Sequence, residues 1–522
     1  MTTTSSPPAA ADPPAPAAAT EKLDSGVLKV AGVVVLGAIM SILDITVVSV
    51  GLPTFGQEFH ATPATVAWTM TAYTLALAAV IPVTGWAADR FGTKRLYLTS
   101  IVLFVAGSVL CSFAWDIGPL IAFRALQGLG GGMLMPLGMT IMTRAAGPER
   151  IGRVMAVLGV PMLLGPIGGP ILGGWLIESF EWQWVFLINL PIGLIALVAA
   201  WRVLAKDEPK PSESFDFFGM LLLSPGLALF LYGVSSIAGE GKVASAKVLV
   251  PGIIGLVLVV AFVLHALRKQ HALIDLSLFK DRNLTISVIT MTLFSVAFMG
   301  SMLLLPSYFI QVRGEGTLDA GLLLAPNGLG AMLTMPIGGK LTDKMGPGKL
   351  VLTGIALITA ALAVYTQVGA DTSYLVLLGA LFVLGMGMGL TMMPIMSAAM
   401  SSLTDGQIAR GSTMMNIVQQ TAGSIGTAVM AVVLTNKVLA DQAASAFYAV
   451  AQGVLPADQV PPQILTQGKE GLAGAFGSTY LVAMVLVALC VVPALFLPRK
   501  KVVRAAAEGT EGKPAEPAFV LH

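Results

Sequence analysis

Long apolar runs recur through the whole sequence, and they constrain the fold more than any other feature does. A helix needs about 20 apolar residues to cross the hydrocarbon core of a bilayer. By that length we count fourteen runs, with approximate bounds of 28–51, 65–86, 96–114, 118–142, 154–177, 185–203, 219–238, 247–267, 285–310, 319–340, 350–368, 374–399, 411–435 and 474–497. Only 11% of the 522 residues are charged, whereas soluble domains carry about 25%. The chain is therefore predicted to be an all-α membrane protein with fourteen transmembrane helices.

The distribution of lysine and arginine predicts how these helices are oriented. Basic residues collect on the cytoplasmic side of membrane spans. With both termini in the cytoplasm, 24 of the 30 basic residues fall on that side, 5 fall outside and 1 lies within a span. The opposite orientation reverses this bias. We therefore expect a multi-pass protein of a cell membrane, such as a bacterial inner membrane, with both termini cytoplasmic.

A charged corner follows the second run and returns in the second half of the chain. Residues 82–92 and 336–346 share their Pro, Gly, acidic and basic positions in one register, with matched positions 254 residues apart. Internal repeats of this kind are typical of transporters, so we predict two related halves. We expect a cytoplasmic gate built from Gly85, Asp89, Arg90, Gly92, Arg95, Asp343 and Lys344. The alternative is that these charges only orient the spans.

Two repeats of six spans leave two spans over. The equivalent corners follow spans two and ten, so the additional pair is assigned to spans seven and eight, between the halves. The predicted organisation is a disordered cytoplasmic tail at 1–27, an N-terminal bundle at 28–204, a linker with two additional helices at 205–283, a C-terminal bundle at 284–498 with an external loop at about 436–473, and a cytoplasmic tail at 499–522.

Asp44 and Arg124 are ionisable residues inside predicted spans. A charged side chain at the bilayer centre costs ~2.5–3.5 kcal/mol on insertion scales, so such residues are functional candidates. We predict that Asp44 exchanges protons and that Arg124 is its partner, with Gln127 on the same helix face as the arginine. Proton release would follow when the cation moves away. The alternative is a purely structural ion pair.

The fifth and thirteenth runs have distinctive compositions. Residues 159–174 contain three Pro and six Gly, which predicts a closely packed helix that bends; packing without a mechanistic role is the alternative. Its candidate residues are Gly159, Gly165, Pro166, Gly169 and Gly173. The thirteenth run carries amides that either line a cavity or form hydrogen bonds between helices. The candidates for a substrate cavity are Gln127, Asn416, Gln419 and Gln420.

Other function classes find little support in the sequence. A net charge of +2 argues against nucleic-acid binding, and the four histidines form no ligand set for a metal. The chain has no Gly-x4-Gly-Lys-Ser/Thr loop for a nucleotide. We also find no convincing nucleophile–base pair of an enzyme. We therefore expect no enzymatic activity, no metal and no cofactor, with a proton gradient as the energy source.

Five stretches resemble motifs of the major facilitator superfamily, specifically of its fourteen-helix drug:proton antiporters. They are Leu43–Pro53, Gly85–Arg95, Arg124–Gly130, Gly159–Gly174 and Trp182–Gly193. The second, third and fourth resemble the cytoplasmic loop motif, the fourth-helix motif associated with proton transfer and the fifth-helix motif associated with exporters. The first and last are similar to sequences of the fourteen-helix branch. The resemblance covers roughly residues 28–497.

The resemblance implies two six-helix bundles around a central cavity, with two additional helices and alternating access by rocking of the bundles. It implies proton-coupled efflux of amphipathic drugs or toxic organic compounds, cations among them, by a monomer surrounded by membrane lipids. Two alternatives stay open. One is a dedicated exporter of a single lipid, siderophore or peptide-like metabolite, and the other is a ligand-sensing membrane receptor on a transporter scaffold.

Overall fold

The computed structural model describes residues 24–147, 150–206, 215–240, 243–269, 272–404, 407–451 and 455–500. Every regular element in these ranges is helical. Most of both predicted tails, at 1–23 and 501–522, falls outside the described residues. The division of the chain into domains stays a prediction.

In the first half of the described chain seven α-helices form six spans, because five of them are each long enough to cross a membrane and the last two together make the sixth. They are α1 (Ser25–Glu58), α2 (Pro63–Phe91), α3 (Thr93–Ser112), α4 (Ile117–Ala146), α5 (Ile151–Ser179), α6 (Trp184–Leu187) and α7 (Asn189–Val203). The two helices that follow are α8 (Phe217–Glu240) and α9 (Ala246–Ala266).

The second half begins after a short 3-10 helix at Leu276–Lys280. Its helices are α10 (Arg282–Gln311), α11 (Thr317–Leu323), α12 (Ala325–Met345), α13 (Pro347–Tyr365), α14 (Tyr374–Ser401), α15 (Ile408–Leu439), α16 (Gln442–Ala451), α17 (Pro462–Leu489) and α18 (Val491–Ala494).

These helices agree with fourteen membrane spans. Thirteen segments of the described chain are long and apolar enough to cross a bilayer. The remaining one is α5, which has 29 residues and no charged residue between positions 154 and 177. The predicted all-α class and the span count are therefore confirmed.

Three spans are broken, in each case near a proline. A proline has no backbone N–H to donate to the carbonyl four residues earlier. Pro191 therefore cannot bond to Leu187, where α6 ends, and Pro493 cannot bond to Leu489, where α17 ends. Pro326 lies at the start of α12, directly after the break that separates it from α11. Spans six, ten and fourteen thus each consist of two helices.

Glycines bring equivalent helices together in the two halves. In α4, Gly128 and Gly132 lie against the backbone of α2, whereas in α14, Gly385 and Gly389 lie against the backbone of α12. Both pairs have the small-xxx-small spacing that lets helix backbones approach closely. The halves therefore share a packing device as well as the charged corner.

The two bundles meet along α2 with α15 and along α5 with α12. The additional helices α8 and α9 pack against each other, and α8 also contacts both α2 and α15. Trp68 of α2 stacks on Tyr232 of α8 with ring centroids 5.4 Å apart. The additional pair therefore covers one of the two lines along which the bundles meet.

The segment at 436–473, which we predicted to be an external loop, is largely helical. Helix α15 continues to Leu439, α16 is a separate helix and α17 already begins at Pro462. Asp441 accepts hydrogen bonds from the backbone N–H groups of Ala443 and Ala444 at 2.9 and 3.2 Å, which stabilises the start of α16. Gly468 lies against the carbonyl of Ala443, so α16 packs closely on α17.

Asp216 joins the start of α8 to the end of α9. Its carboxylate accepts hydrogen bonds from Lys269 Nζ at 2.8 Å and from the backbone N–H groups of Gly219 and Leu273 at 2.9 and 3.1 Å, and His265 Nε2 lies 3.0 Å from it. Burial acts to raise the pKa of Asp216, but the hydrogen bonds outweigh it and lower the pKa from 3.8 to about 2. His265 lies in the last turn of α9.

We predict that Asp216→Asn destabilises the additional helix pair, because the variant removes the charge that four donors surround. The midpoint of thermal unfolding in detergent should fall relative to wild type, while Asp371→Asn, at a carboxylate whose side chain is 93% exposed, should leave it unchanged. Since the folded-state pKa is below the ordinary value, the stabilisation is present above pH ~4 and is lost as the pH falls toward about 2. Equal midpoints for wild type and Asp216→Asn at neutral pH would contradict this role.

Candidate functional site

The predicted pair of Asp44 and Arg124 forms in the centre of the first bundle. Arg124 NH1 lies 2.5 Å from Asp44 Oδ2, and both side chains are fully buried. Asp44 is in the middle of α1 and Arg124 is in the first half of α4. Such a pair is stable in a low-dielectric interior only when the remaining polar atoms also find partners.

Amides complete the coordination of the carboxylate. Gln127 Nε2 donates to Asp44 Oδ1 at 2.7 Å, and its Oε1 accepts from Arg124 NH1 at 2.7 Å. Asn189 Nδ2 donates to the same Asp44 oxygen at 3.0 Å, and both amides also reach Ser108 Oγ. Gln127 therefore belongs to the ion pair and does not line the cavity, where we had placed it.

Sequence reasoning did not include Asn189 and Ser108 among the site residues. Asn189 is the first residue of α7, directly after the break in span six. The only sequence signal for it was its place in the stretch Trp182–Gly193, which resembles the fourteen-helix branch. Ser108 is an isolated serine in α3, and nothing in its sequence context distinguishes it.

The guanidinium of Arg124 is enclosed on its remaining sides. Its Nε donates to the carbonyl of Thr69 at 3.2 Å. The ring of Tyr73 lies over it, with 4.2 Å between the guanidinium carbon and the ring centroid, and the ring of Phe186 lies at 5.9 Å. A cation over an aromatic face is favourable where water is excluded, so the arginine is held in one position.

A cavity of ≈ 390 Å³ lies between the bundles, at mid-depth in the membrane helices. Its polar wall comes from α15, with Asn416, Gln419, Gln420, Ser424 and Thr427. The facing wall, on α1, α2 and α4, is mostly apolar and includes Ile42, Ile45, Leu77, Ile81 and Met135. Three of the four predicted cavity residues, namely the three from α15, are therefore brought together here. Asp44 is not one of the residues that line the cavity.

Hydroxyl contacts close the cavity toward the end of the molecule that carries Gly92 and Gly346, which we call the basic end. Ser412 Oγ donates to the carbonyl of Pro136 at 3.1 Å and lies 2.8 Å from Thr140 Oγ1. These bonds join α4 of the first bundle to α15 of the second. In this conformation the two bundles are therefore in contact between the cavity and the basic end.

The first charged corner contacts the second bundle at the basic end. Gly85 faces α15, where a Cβ would lie 3.4 Å from the carbonyl oxygen of Ala409. Asp89 lies 3.8 Å from Arg410 of α15 and 3.7 Å from Arg144 of α4. Arg410 also lies 3.9 Å from Asp275, in the segment after α9. One arginine therefore links the second bundle to the corner and to the linker.

The second corner makes the equivalent contact in the other direction. Asp343 accepts hydrogen bonds from the backbone N–H groups of Gly152 at 2.8 Å and Arg153 at 3.4 Å, in the first turn of α5. The Arg153 side chain lies 3.6 Å from the same carboxylate. A carboxylate at a helix N-terminus satisfies unpaired N–H groups and complements the helix dipole. Gly339 lets the backbones of α12 and α5 meet at Gly152.

The remaining corner residues have other positions. Gly92 and Gly346 each form a one-residue connection between helices, with φ of 94° and 83°, a conformation that favours glycine. The side chains of Arg90, Arg95 and Lys344 are exposed. Lys94 Nζ donates to the carbonyls of Trp201 and Leu204 at 2.7 and 2.6 Å, which stabilises the end of α7.

The glycines of α5 divide between two neighbours. Gly165, Gly169 and Gly173 lie against α1, at Ile42, Thr46 and Val47 respectively, whereas Gly159 lies against Met335 of α12 in the other bundle. Thr46 Oγ1 also donates to the carbonyl of Gly165 at 3.1 Å. The side chain of Pro166 lies outside the described part. Helix α5 is therefore packed closely against the helix that carries Asp44.

A family model described as Major Facilitator Superfamily matches residues 34–427. The chain belongs to the major facilitator superfamily. It is 49% identical over 495 residues to a protein named Multidrug resistance protein B homolog from Mycobacterium tuberculosis, with 92% of each chain covered. It is 31% identical over 396 residues to Multidrug export protein EmrB of Haemophilus influenzae, covering 75% of this chain and 77% of that protein.

A solved structure has the same fold as this transporter. The human organic anion transporter MFSD10 aligns over 89% of this chain and 100% of its own, with a TM-score of 0.59 and 16% identity. At that identity the likeness concerns the fold alone. The protein is thus a multi-pass membrane transporter of the major facilitator superfamily, related to multidrug efflux proteins.

We predict that Gly169→Ala weakens the packing of α1 on α5, because the new methyl group would overlap the side chain of Thr46. Overpacking of this kind costs about 1–3 kcal/mol, so the thermal midpoint in detergent should fall. Gly174→Ala on the same helix is the matched control, because a Cβ there meets nothing within 4 Å. Equal loss of stability in both variants would mean that α5 is sensitive to helix composition and not to this contact.

Proposed function

We propose that this transporter exports amphipathic small molecules in exchange for protons, with its basic end in the cytoplasm. The observation that carries the proposal is the buried Asp44–Arg124 pair in the middle of α1 and α4. An ion pair at this depth is costly to keep for stability alone, since apolar packing is often as stabilising. The names of the similar proteins, which refer to multidrug resistance and export, support the efflux direction.

Protonation of Asp44 supplies the coupling step. A proton that reaches the carboxylate neutralises it and weakens its hold on Arg124, whose guanidinium stays charged and then relies on Gln127, Thr69 and the ring of Tyr73. Because the pair joins α1 to α4, a change in its charge alters the packing of two of the helices that line the cavity. One proton moving through 100 mV supplies ~2.3 kcal/mol.

The cavity supports substrates that are amphipathic and not selected by charge. One wall offers amides and hydroxyls, the other is apolar, and the lining identified among the described residues includes no acidic side chain. Asp44 is occupied by Arg124, Gln127 and Asn189 and is turned away from the cavity. We therefore propose that burial of apolar surface and a few hydrogen bonds give the affinity, and that a positive charge on the substrate adds little.

Alternating access requires that the contacts at the basic end break. The side-chain ion pairs Asp89–Arg410 and Asp343–Arg153 are long, at 3.8 and 3.6 Å, and their arginines are partly exposed. Contacts of this kind contribute little each, so both states of the interface can be populated. The conformation described here is closed at that end.

We predict that Asp44→Asn abolishes proton-driven transport while substrate exchange persists. The variant keeps the shape of the side chain and one acceptor oxygen, but an NH2 group replaces the second acceptor and no carboxylate is left to protonate. Uptake of Nile red and of ethidium into everted proteoliposomes should be measured with and without a pH gradient, and exchange of each dye should be measured without one. Gradient-driven accumulation should fall at least about tenfold, and Asp371→Asn serves as the control.

Gradient-driven accumulation in Asp44→Asn as high as in wild type would overturn the coupling assignment. If ethidium is carried far better than Nile red by wild type, the charge-independent substrate class is wrong although coupling stands. No flux of either dye, with tight binding of one, would favour the receptor alternative.

We predict that Asp343→Asn slows the transport cycle and leaves dye binding intact, because it removes the charge that closes α12 on α5 at the basic end. The closed state loses a stabilising contact, so opening toward the basic end becomes easier and the return step rarer. Asp319→Asn, at an exposed position on α11, is the matched control. Stopped-flow measurement of a single dye translocation separates opening toward the basic end from the return step. An unchanged rate of the return step would mean that the charges of the second corner only orient the spans.

A further inference from the structure

A pair of hydroxyl groups separates the cavity from the buried ion pair. Ser41 Oγ of α1 and the Tyr73 hydroxyl of α2 lie 3.1 Å apart. Ser41 lines the cavity, whereas Tyr73 is fully buried behind it. The guanidinium of Arg124 lies over the Tyr73 ring, with its carbon atom 4.2 Å from the ring centroid. The order from the cavity inward is therefore Ser41, Tyr73, Arg124 and Asp44.

Two glycines of α4 leave the space that Tyr73 occupies. Gly128 lies directly against the Tyr73 carbonyl, and a Cβ at Gly131 would lie 2.5 Å from the Tyr73 hydroxyl. Gly131 itself lines the cavity. A larger residue at Gly131 would overlap the Tyr73 hydroxyl, whereas one at Gly128 would push the backbone of α2 away. At this point Ser41 and Tyr73 thus lie between the cavity and the ion pair.

Helix α1 connects this wall to the carboxylate. Ser41 and Asp44 are three residues apart and so lie on neighbouring positions of one helix face. Ser41 points to the cavity and to Tyr73, and Asp44 points to Arg124. A ligand in the cavity that takes the donor or acceptor site through which Ser41 bonds to Tyr73 competes with the tyrosine for that hydroxyl.

We propose that the Ser41–Tyr73 pair is a latch through which occupancy of the cavity controls access of protons to Asp44. The inference rests on the proposed function and adds Tyr73 to it as a positioning residue. With the cavity empty, the hydrogen bond keeps the ring over Arg124 and excludes water from the pair. With a ligand bound at Ser41, the ring loses its partner and leaves the guanidinium. Water then connects the carboxylate to the aqueous phase, and a carboxylate oxygen accepts a proton that hydronium delivers along this water, so that no hydroxide is left behind.

The test is the leak of protons in the absence of any substrate. Wild type, Tyr73→Phe and Ser41→Ala are reconstituted in liposomes with a trapped pH-sensitive dye, and acidification is followed after a pH jump. Each variant removes one hydroxyl and leaves Asp44 and Arg124 in place. The leak should rise about fivefold, which corresponds to the net loss of one hydrogen bond. Addition of Nile red should raise the wild-type proton flux and leave that of the variants nearly unchanged.

Tyr97→Phe is the matched control. Tyr97 is a fully buried tyrosine of the same bundle, and its hydroxyl also bonds to α1, at the carbonyl of Val33 at a distance of 3.3 Å. The proton leak of Tyr97→Phe should equal that of wild type. The double variant Ser41→Ala/Tyr73→Phe should leak no more than either single variant, since both remove the same bond. Addition of Asp44→Asn to Tyr73→Phe should return the leak to the wild-type level.

Three results would overturn the latch. They are a wild-type leak in both Tyr73→Phe and Ser41→Ala, an equal rise in Tyr97→Phe, and a raised leak that persists when Asp44→Asn is added. Because the leak is measured without a substrate, it is independent of the efflux assay. Failure of wild type to couple dye and proton fluxes would count against the proposed function. A Tyr73→Phe variant whose proton leak equals that of wild type and whose coupling is normal would count against the latch alone.

Discussion

The buried ion pair of Asp44 and Arg124 is the interaction on which the first bundle depends. Neither charge is stable in this interior without the other, and neither is fully satisfied by the other. The missing partners come from Gln127 on α4 and Asn189 at the start of α7, and the Thr69 carbonyl on α2 completes the set. Five helices must therefore converge on one point, counting α3, which supplies the hydroxyl that both amides contact.

That convergence explains why small residues surround the pair. The glycines of α4 admit α2 and α3, and those of α5 admit α1. The breaks in spans six and ten have a similar local cause, since each coincides with a proline, and the first of them places Asn189 at a helix start beside the carboxylate. Packing inside the bundle is thus dense and specific, whereas the contacts between bundles at the basic end include long side-chain ion pairs with partly exposed arginines. A rigid bundle beside a weak interface is the arrangement that rocking motions require.

The two halves use one architecture for different tasks. Both have a one-residue glycine connection after the corner, and both have a small-xxx-small contact between equivalent helices. The carboxylates differ in their partners, however. Asp343 meets the first turn of α5 through backbone N–H groups, and Asp89 lies between two arginines. The two walls of the cavity are similarly unequal, since the polar wall comes from α15 and the Asp44–Arg124 pair lies behind the opposite wall.

The sequence by itself determined the class, the number of spans, the repeat and the candidate ion pair, because each rests on local chemistry: the length of an apolar run, a proline or glycine at one position, or a charge where water is absent. It did not determine that Gln127 faces Asp44 and not the cavity, nor that Asn189, Ser108 and Tyr73 complete the site. It also did not determine that part of the segment at 436–473 forms a separate helix, α16, which packs against α17. Only the tertiary structure decided these points, because the direction in which a side chain points and the partner it meets depend on how helices distant in the chain rotate and cross.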